Sequence, residues 1–201
     1  MSSDLSVCFD VDLRLVDRSS LLHLLDALGA KFSSASSRLM EGEDQYIAEA
    51  ACPDAGWDGF LENIKSPTAS LVGIFKTSSY RFTIAFFVAR RGRRYVLFSL
   101  EGRNIDAMGA SLKDKGVSFL EFLAEMHVQL AAKSMVLGFN ADVQSLIAFL
   151  DGKLGLEEVD EYIRVAMGDI PPASRELLLS NPGTQQFDFG QGVMLSRWLP
   201  E

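Results

Sequence analysis

The sequence predicts an α+β fold: a largely antiparallel sheet with about five helices, an opening β-α unit and a C-terminal β-hairpin. Three observations carry this. Residues 5–15 alternate apolar and polar without a fault, residues 71–100 are rich in β-branched and aromatic side chains, and helical stripes follow from residue 119. With 201 residues, no internal repeat and no long linker, one domain over 1–201 is expected.

In the first strand Leu5, Val7, Phe9, Val11, Leu13 and Leu15 point one way, while Ser6, Cys8, Asp10, Asp12 and Arg14 point the other. Period-two alternation of this kind marks a strand with one wet face. Asp17 or Ser19 can cap a helix whose Leu21, Leu24, Leu25 and Leu28 form a stripe, closed by Gly29. Residues 33–37 read as a serine-rich loop, and 41–44 as a turn between two short strands. Trp57, Phe60, Leu61 and Ile64 fall at i, i+3, i+4 and i+7, which predicts a short helix ending near Pro67. Three strands are expected over 71–76, 80–89 and 95–100. The last two are joined by the Arg90–Arg93 turn, and the middle one is apolar on both faces.

Phe119, Phe122, Leu123, Met126 and Leu130 make the next helical stripe, and Val136–Phe139 a short strand. Asn140 is placed to cap a helix carrying Val143, Leu146, Ile147 and Leu150. Val159, Tyr162, Ile163 and Ala166 predict another helix, stopped by Pro171 and Pro172, and 173–179 a further turn or two. Gln185–Phe189 and Val193–Trp198 flank Gly190-Gln191-Gly192 as a hairpin.

Fourteen Phe suggest an aromatic core, and nothing in the composition requires a metal, cofactor or disulfide for folding. The net charge of −8 argues against direct nucleic-acid binding, which needs a basic face, and against an anionic membrane surface. The longest apolar run, residues 84–89, is too short to span a bilayer. Residues 1–4 are polar and acidic, so no secretory signal is expected. The compartment that follows is the cytoplasm, with Cys8 and Cys52 as free thiols.

Catalytic signatures are sparse. The nucleophile elbow, the P-loop and H-E-x-x-H are absent. His23 and His127, the only two histidines, sit within apolar helical stretches and read as packing residues. Asp10 and Asp12 share a strand face roughly 7 Å apart, a spacing that could hold a divalent cation, but on an open sheet it marks a solvated side. Pro53-Asp54 with Asp151-Gly152-Lys153 matches the letters of a restriction-type nuclease, although ninety-seven residues apart and at a helix end. Arg81, Arg90, Arg91, Arg93 and Arg94 could hold an anion, but are read as a charged hairpin end that stays soluble. No catalytic or metal-binding residue is assigned, and no enzyme activity is expected.

The acids are the remaining signal. Seven lie between Glu41 and Glu62 with no base, and six lie between Asp151 and Asp169 against Lys153 and Arg164. Long-range attraction to such faces would speed association with a basic partner. The candidate partner-binding residues are Glu41, Glu43, Asp44, Tyr46, Glu49, Trp57, Glu157, Glu158, Asp160 and Glu161, with Trp198 as a further aromatic anchor.

This profile of small size, acidic balance, mixed α+β pattern and no catalytic set resembles the immunity proteins that bacteria make against their own antibacterial, secretion-system toxins. The resemblance implies a cytoplasmic toxin inhibitor, antitoxin-like, that covers the basic active-site surface of a partner toxin or its nuclease domain. It rests on no motif and transfers no residues. The rival readings are a hydrolase or nuclease using carboxylates and a metal, and a small-ligand-binding regulatory domain.

Overall fold

A computed structural model describes residues 4–12, 18–40, 46–51, 69–88, 93–190 and 192–197. The ten strands among the described residues are β1 Leu5–Val11, β2 Lys31–Met40, β3 Tyr46–Ala51, β4 Ala69–Lys76, β5 Arg81–Val88, β6 Arg94–Leu100, β7 Ala132–Phe139, β8 Ile163–Gly168, β9 Gln185–Asp188 and β10 Val193–Ser196. The described helices are α1 Arg18–Leu28, α2 Gly102–Asp114, α3 Phe119–Gln129, α4 Val143–Leu150, α5 Leu156–Tyr162 and α6 Pro172–Ser180. All ten strands join one sheet in the order β3-β2-β4-β5-β6-β1-β7-β8-β10-β9, and every pairing is antiparallel.

The first strand to leave the N-terminus lies in the middle of this sheet, and its alternation explains how. β1 sits between β6 and β7, with Phe9 opposite Val96 on one side and Met135 on the other. Leu5, Val7, Phe9 and Val11 meet one helical layer. Cys8 points the other way and is fully buried too. The wet face expected for this strand is therefore corrected: at its centre it is covered by α4, whose Leu146, Phe149 and Leu150 pack in the same cluster as Cys8.

Helices flank both faces. On one, the α1 leucines and Met108, Leu112, Phe122 and Leu123 of α2 and α3 pack on Phe9, Phe82, Phe98 and Met135. The phenylalanines link across strands: Phe75 stacks on Phe82 at 5.4 Å, Phe82 meets Phe98 at 5.0 Å, and Phe98 meets Phe122 edge-on at 6.3 Å. Each such pair adds roughly 0.5–1.5 kcal/mol beyond its buried area, which is what the phenylalanine-rich composition supplies. On the other face α4, α5 and α6 bring Phe149, Val159 and Leu178 onto Cys8, Leu97, Val136, Ala166 and Leu195.

Several local expectations hold. Leu21, Leu24, Leu25 and Leu28 are buried, and Gly29 ends α1 at φ +65°. β2 and β3 pair on either side of 41–45, β9 and β10 pair as the terminal hairpin, and α6 spans the expected helical turns. The helix expected over 57–64 lies outside the described residues, as does Cys52; Cys8 is a free thiol.

Four expectations are corrected. Residues 33–37 belong to β2, where pairing with β4 overrides the weak strand preference of serine. Asn140 does not cap α4; it turns the chain at φ +53°, and Asp142 is the cap, accepting the Ser145 amide at 2.7 Å. The stripe Val159–Ala166 is broken at Ile163, where α5 gives way to β8. Ile163, Val165, Ala166 and Met167 are all fully buried, as an interior strand requires. Finally α2, buried through Asn104, Met108 and Leu112, was not expected.

Candidate functional site

Two polar clusters lie on the α4–α6 side of the sheet. The first follows from strand register. Val11 pairs with Arg94, which brings Arg93 to the end of β1. There its guanidinium hydrogen-bonds the Asp10 carboxylate at 2.6 Å and also pairs with Asp151, the residue that ends α4. Lys153 reaches the other oxygen of Asp151 at 2.9 Å. The guanidinium carbon stands 5.3 Å from the Tyr95 ring centroid. Burial pulls the Arg93 guanidinium down, but the hydrogen bond to Asp10 and the fields of Tyr95, Asp10 and Asp151 outweigh it and hold it above its ordinary value. Burial, with Asp10 adding to it, pushes the Cys8 thiol far up against the opposing charge of Arg93, so the thiol is protonated and unreactive. Burial likewise pushes the Tyr95 phenol up, and its hydroxyl has no hydrogen-bond partner among the described residues.

This cluster corrects the solvated reading of Asp10, whose side chain is only 14% exposed. It also brings Asp10 together with Asp151 and Lys153 of the nuclease-like letters. A guanidinium already occupies the space between the two carboxylates, where a divalent cation would have to sit. Among the described residues no group of three His, Cys, Asp or Glu is arranged to hold a metal ion.

The second cluster is the C-terminal end of α5. A helix end leaves carbonyls without partners, and two arginines from neighbouring strands meet them here. Arg164 donates to the Asp160 and Ile163 carbonyls, both at 3.0 Å, and to the Glu161 carbonyl at 2.7 Å. Arg197, after β10, donates to the Val159 carbonyl at 3.2 Å and to the Asp160 carboxylate at 2.9 Å. Burial and then the charge of Arg197 hold the Arg164 guanidinium below its ordinary value, with Asp160 opposing. At the other end the Gly155 amide donates to the Glu158 carboxylate at 3.0 Å. Neither arginine was singled out beforehand, although both are bases in the acidic C-terminal third.

The four expected acids of α5 thus divide. Glu158 and Asp160 hold the helix in place. Glu157 and Glu161 are exposed, and Glu157 adjoins Leu156, which is 49% exposed. Leu179 of α6, the helix that packs against α5, is 40% exposed. A groove of about 380 Å³ opens at the foot of α5, lined by Phe139, Asn140, Glu161, Tyr162 and Arg164.

Glu41, Glu43, Asp44, Trp57 and Trp198 lie outside the described residues. Tyr46 and Glu49 are on β3 at the far edge of the sheet, Glu49 in register with Arg38. Arg81 pairs with Glu101 at 2.6 Å, while Arg90 and Arg91 are also outside the described residues. His23 is exposed on α1. His127 is 9% exposed. Burial depresses its pKa against the opposing hydrogen bond to the Lys133 backbone. Gly168, at φ +88°, passes so close that a Cβ there would meet His127 Nε2 at 2.8 Å and the Lys133 carbonyl.

No protein-family profile matches the chain, and no curated protein does. Among solved structures the chain is similar to the Pseudomonas aeruginosa T6SS protein PA0821, with a TM-score of 0.43 and 11% identity. The overlap covers 97% of this chain and 68% of that one. Nothing about activity or partner follows from a likeness at that level. No helix among the described residues is long and apolar enough to cross a membrane.

Proposed function

We propose that this chain is a binding protein without catalytic activity of its own. It neutralises a basic toxin in the cytoplasm by docking on and covering the toxin's cationic active-site surface, in the manner of an immunity protein. The observation that carries the reading is the division of labour on α5. Two carboxylates and two arginines fix the helix, and its two remaining carboxylates stay at the surface, Glu157 next to the exposed Leu156 and Glu161 at the other end. A fixed helix with exposed acids and an exposed apolar residue suits a cationic protein: charge steers the encounter, and buried apolar contact sets the lifetime. The net charge of −8 adds a general attraction of the same sign.

The test is co-purification with a basic toxin from the same host, followed by stopped-flow association over a range of salt. Steered association should exceed the roughly 10⁵–10⁶ M⁻¹s⁻¹ of unsteered docking. It should slow as the screening length falls from about 10 Å at 0.1 M to about 3 Å at 1 M. A salt-insensitive on-rate, recovery of a small molecule as the sole ligand, or metal-stimulated turnover by the purified chain would remove the reading.

A further inference from the structure

One corner of the sheet carries charge of the opposite sign to α5. Strand register sets Lys31, the first residue of β2, opposite Lys76, the last of β4, and Lys76 opposite Arg81, the first of β5. Residues directly opposite in antiparallel strands share a face, and neighbouring strands lie about 4.8 Å apart. Three cations therefore stand in one row about 10 Å long, and all three are exposed. The β4–β5 turn fixes the middle of the row: the Thr77 hydroxyl accepts the Ser79 amide at 3.1 Å and the Tyr80 amide at 3.0 Å.

This row works against the fold. Like charges directly opposite in a sheet destabilise it. Here two such pairs adjoin in a chain whose acids outnumber its bases by 27 to 19. Glu101, the acid that meets Arg81 at 2.6 Å, is shared with Arg103 at 2.9 Å. Among the described residues neither the Lys31 nor the Lys76 ammonium has an ion-pair or hydrogen-bond partner. Lysine often guards a sheet edge, but β4 and β5 are interior strands, so Lys76 and Arg81 guard none. In the next row on the same face Ser34 is exposed, and Ile74 and Thr83 are half-buried.

We propose that this row is a docking surface for an acidic segment of a second partner protein, laid across the ends of β2, β4 and β5. The inference goes beyond the reading of α5. The charge is reversed, and β4, β5, β6, β1 and β7 lie between β2 and β8, the strand that α5 leads into. Carboxylates two residues apart in an extended segment are about 7 Å apart, within reach of the flexible lysine stems. Ile74 offers the same segment an apolar contact. A nucleic acid fits less well. The rings of these strands, Phe32, Phe75 and Phe82, pack against one another in the core of the opposite face, so they are not offered to a base.

The experiment is an NMR titration of the full chain with the acetylated, amidated peptide Glu-Ser-Glu-Ser-Glu, beside the same peptide with Gln for Glu and a thymidine pentanucleotide. The acidic peptide should shift the amides of residues 31–34 and 74–83. It should bind about fivefold more tightly than the Gln peptide, the return of two exposed ion pairs. That gap should close at about 0.5 M salt. Lys76→Glu should abolish the shifts without lowering the melting temperature, because it turns two repulsive cross-strand pairs into attractive ones. Shifts absent at about 10 mM peptide, equal binding of the Gln peptide, or tighter binding of the pentanucleotide would overturn the proposal. So would a melting temperature that falls in Lys76→Glu, since the row would then serve the fold.

Discussion

The cluster around Arg93 and the end of α5 lie on the same side of one sheet and use the same residue types, yet their charges are spent differently. Arg93 sits between Asp10 and Asp151, whose side chains are 14% and 22% exposed, and both carboxylates are turned inward onto it. On α5 the arginines face backbone carbonyls, which leaves Glu157 and Glu161 at the surface. Charges that face one another hold a fold together; charges left over on a fixed helix are available to another molecule. Substitutions in the first cluster should therefore act on stability, and those on the α5 rim on association.

The largest effect is expected at Arg93. Arg93→Ala leaves two carboxylates facing each other with no cation between them and removes the stacking contact on Tyr95. With its side chain 38% exposed, solvent moderates the loss, and about 2 kcal/mol is expected. In a chain of this length that lowers the melting temperature by about 5 °C. Arg93→Lys, which keeps the charge but not the fork, should lose about half as much. An unchanged melting temperature for Arg93→Ala would place the cluster among idle surface pairs and dissolve the contrast with α5.

Arg197 tests the border between the two roles. Its side chain is 13% exposed and makes three hydrogen bonds to α5, so Arg197→Ala should cost about 1–2 kcal/mol. Because those bonds hold the helix, the variant should also weaken partner binding below the temperature at which it unfolds. A stability loss with unaltered binding would uncouple α5 from the interface.

His127 gives a smaller, pH-dependent counterpart on the opposite face. It is buried without an ion pair, and burial depresses its folded pKa. The unfolded chain then binds the proton more readily, so this contribution to stability is present above the ordinary histidine value of about 6.5 and is lost as pH falls below it. Urea denaturation between pH 7.5 and 5 should show that slope, and His127→Met should flatten it. A slope that survives the substitution would assign the acid sensitivity to other groups.

What was legible in advance follows the range of the physics involved. The alternation of β1 and the stripe of α1 are local patterns: α1 stands where it was read, while β1 starts where it was read but ends at Val11, with residues 13–15 of the expected strand outside the described ones. The acids of α5 were legible as a face for the same reason. Ile163 was misassigned because a helical stripe ran on into an interior strand, and burial on both faces erases the period that tells them apart. The serines of β2 were misassigned because strand pairing, a distant contact, decided their structure. Arg93 could not have been matched to Asp10 and Asp151 at all. Those pairs bridge 83 and 58 residues of sequence and exist only once β1 lies beside β6 and α4 covers the sheet. The same holds for the arginines at the end of α5, of which Arg197 arrives from 37 residues away.

The smallest effect on stability, and the sharpest on association, is expected for Glu157→Lys. Glu157 lies in the first turn of α5 and is exposed. It differs from Glu158, whose carboxylate takes the Gly155 amide, and from Asp160, which takes Arg197. Reversing it removes a favourable acid from the positive end of the helix dipole, a loss of a few tenths of a kcal/mol, within the roughly 0.5 kcal/mol scatter of surface substitutions. Melting should barely move. Association with a cationic partner should nonetheless slow several-fold at 0.05 M salt, because the long-range field changes by two charges beside the exposed Leu156. The difference should shrink at 0.5 M, where screening confines the field to contact distance. Dissociation should change little, since a rim charge acts mainly on encounter. Glu157→Gln should give about half the slowing, which separates a field from a lost contact. If both variants associate at the wild-type rate at low salt, the docking surface is not on α5, and the search moves to the acids of residues 41–62.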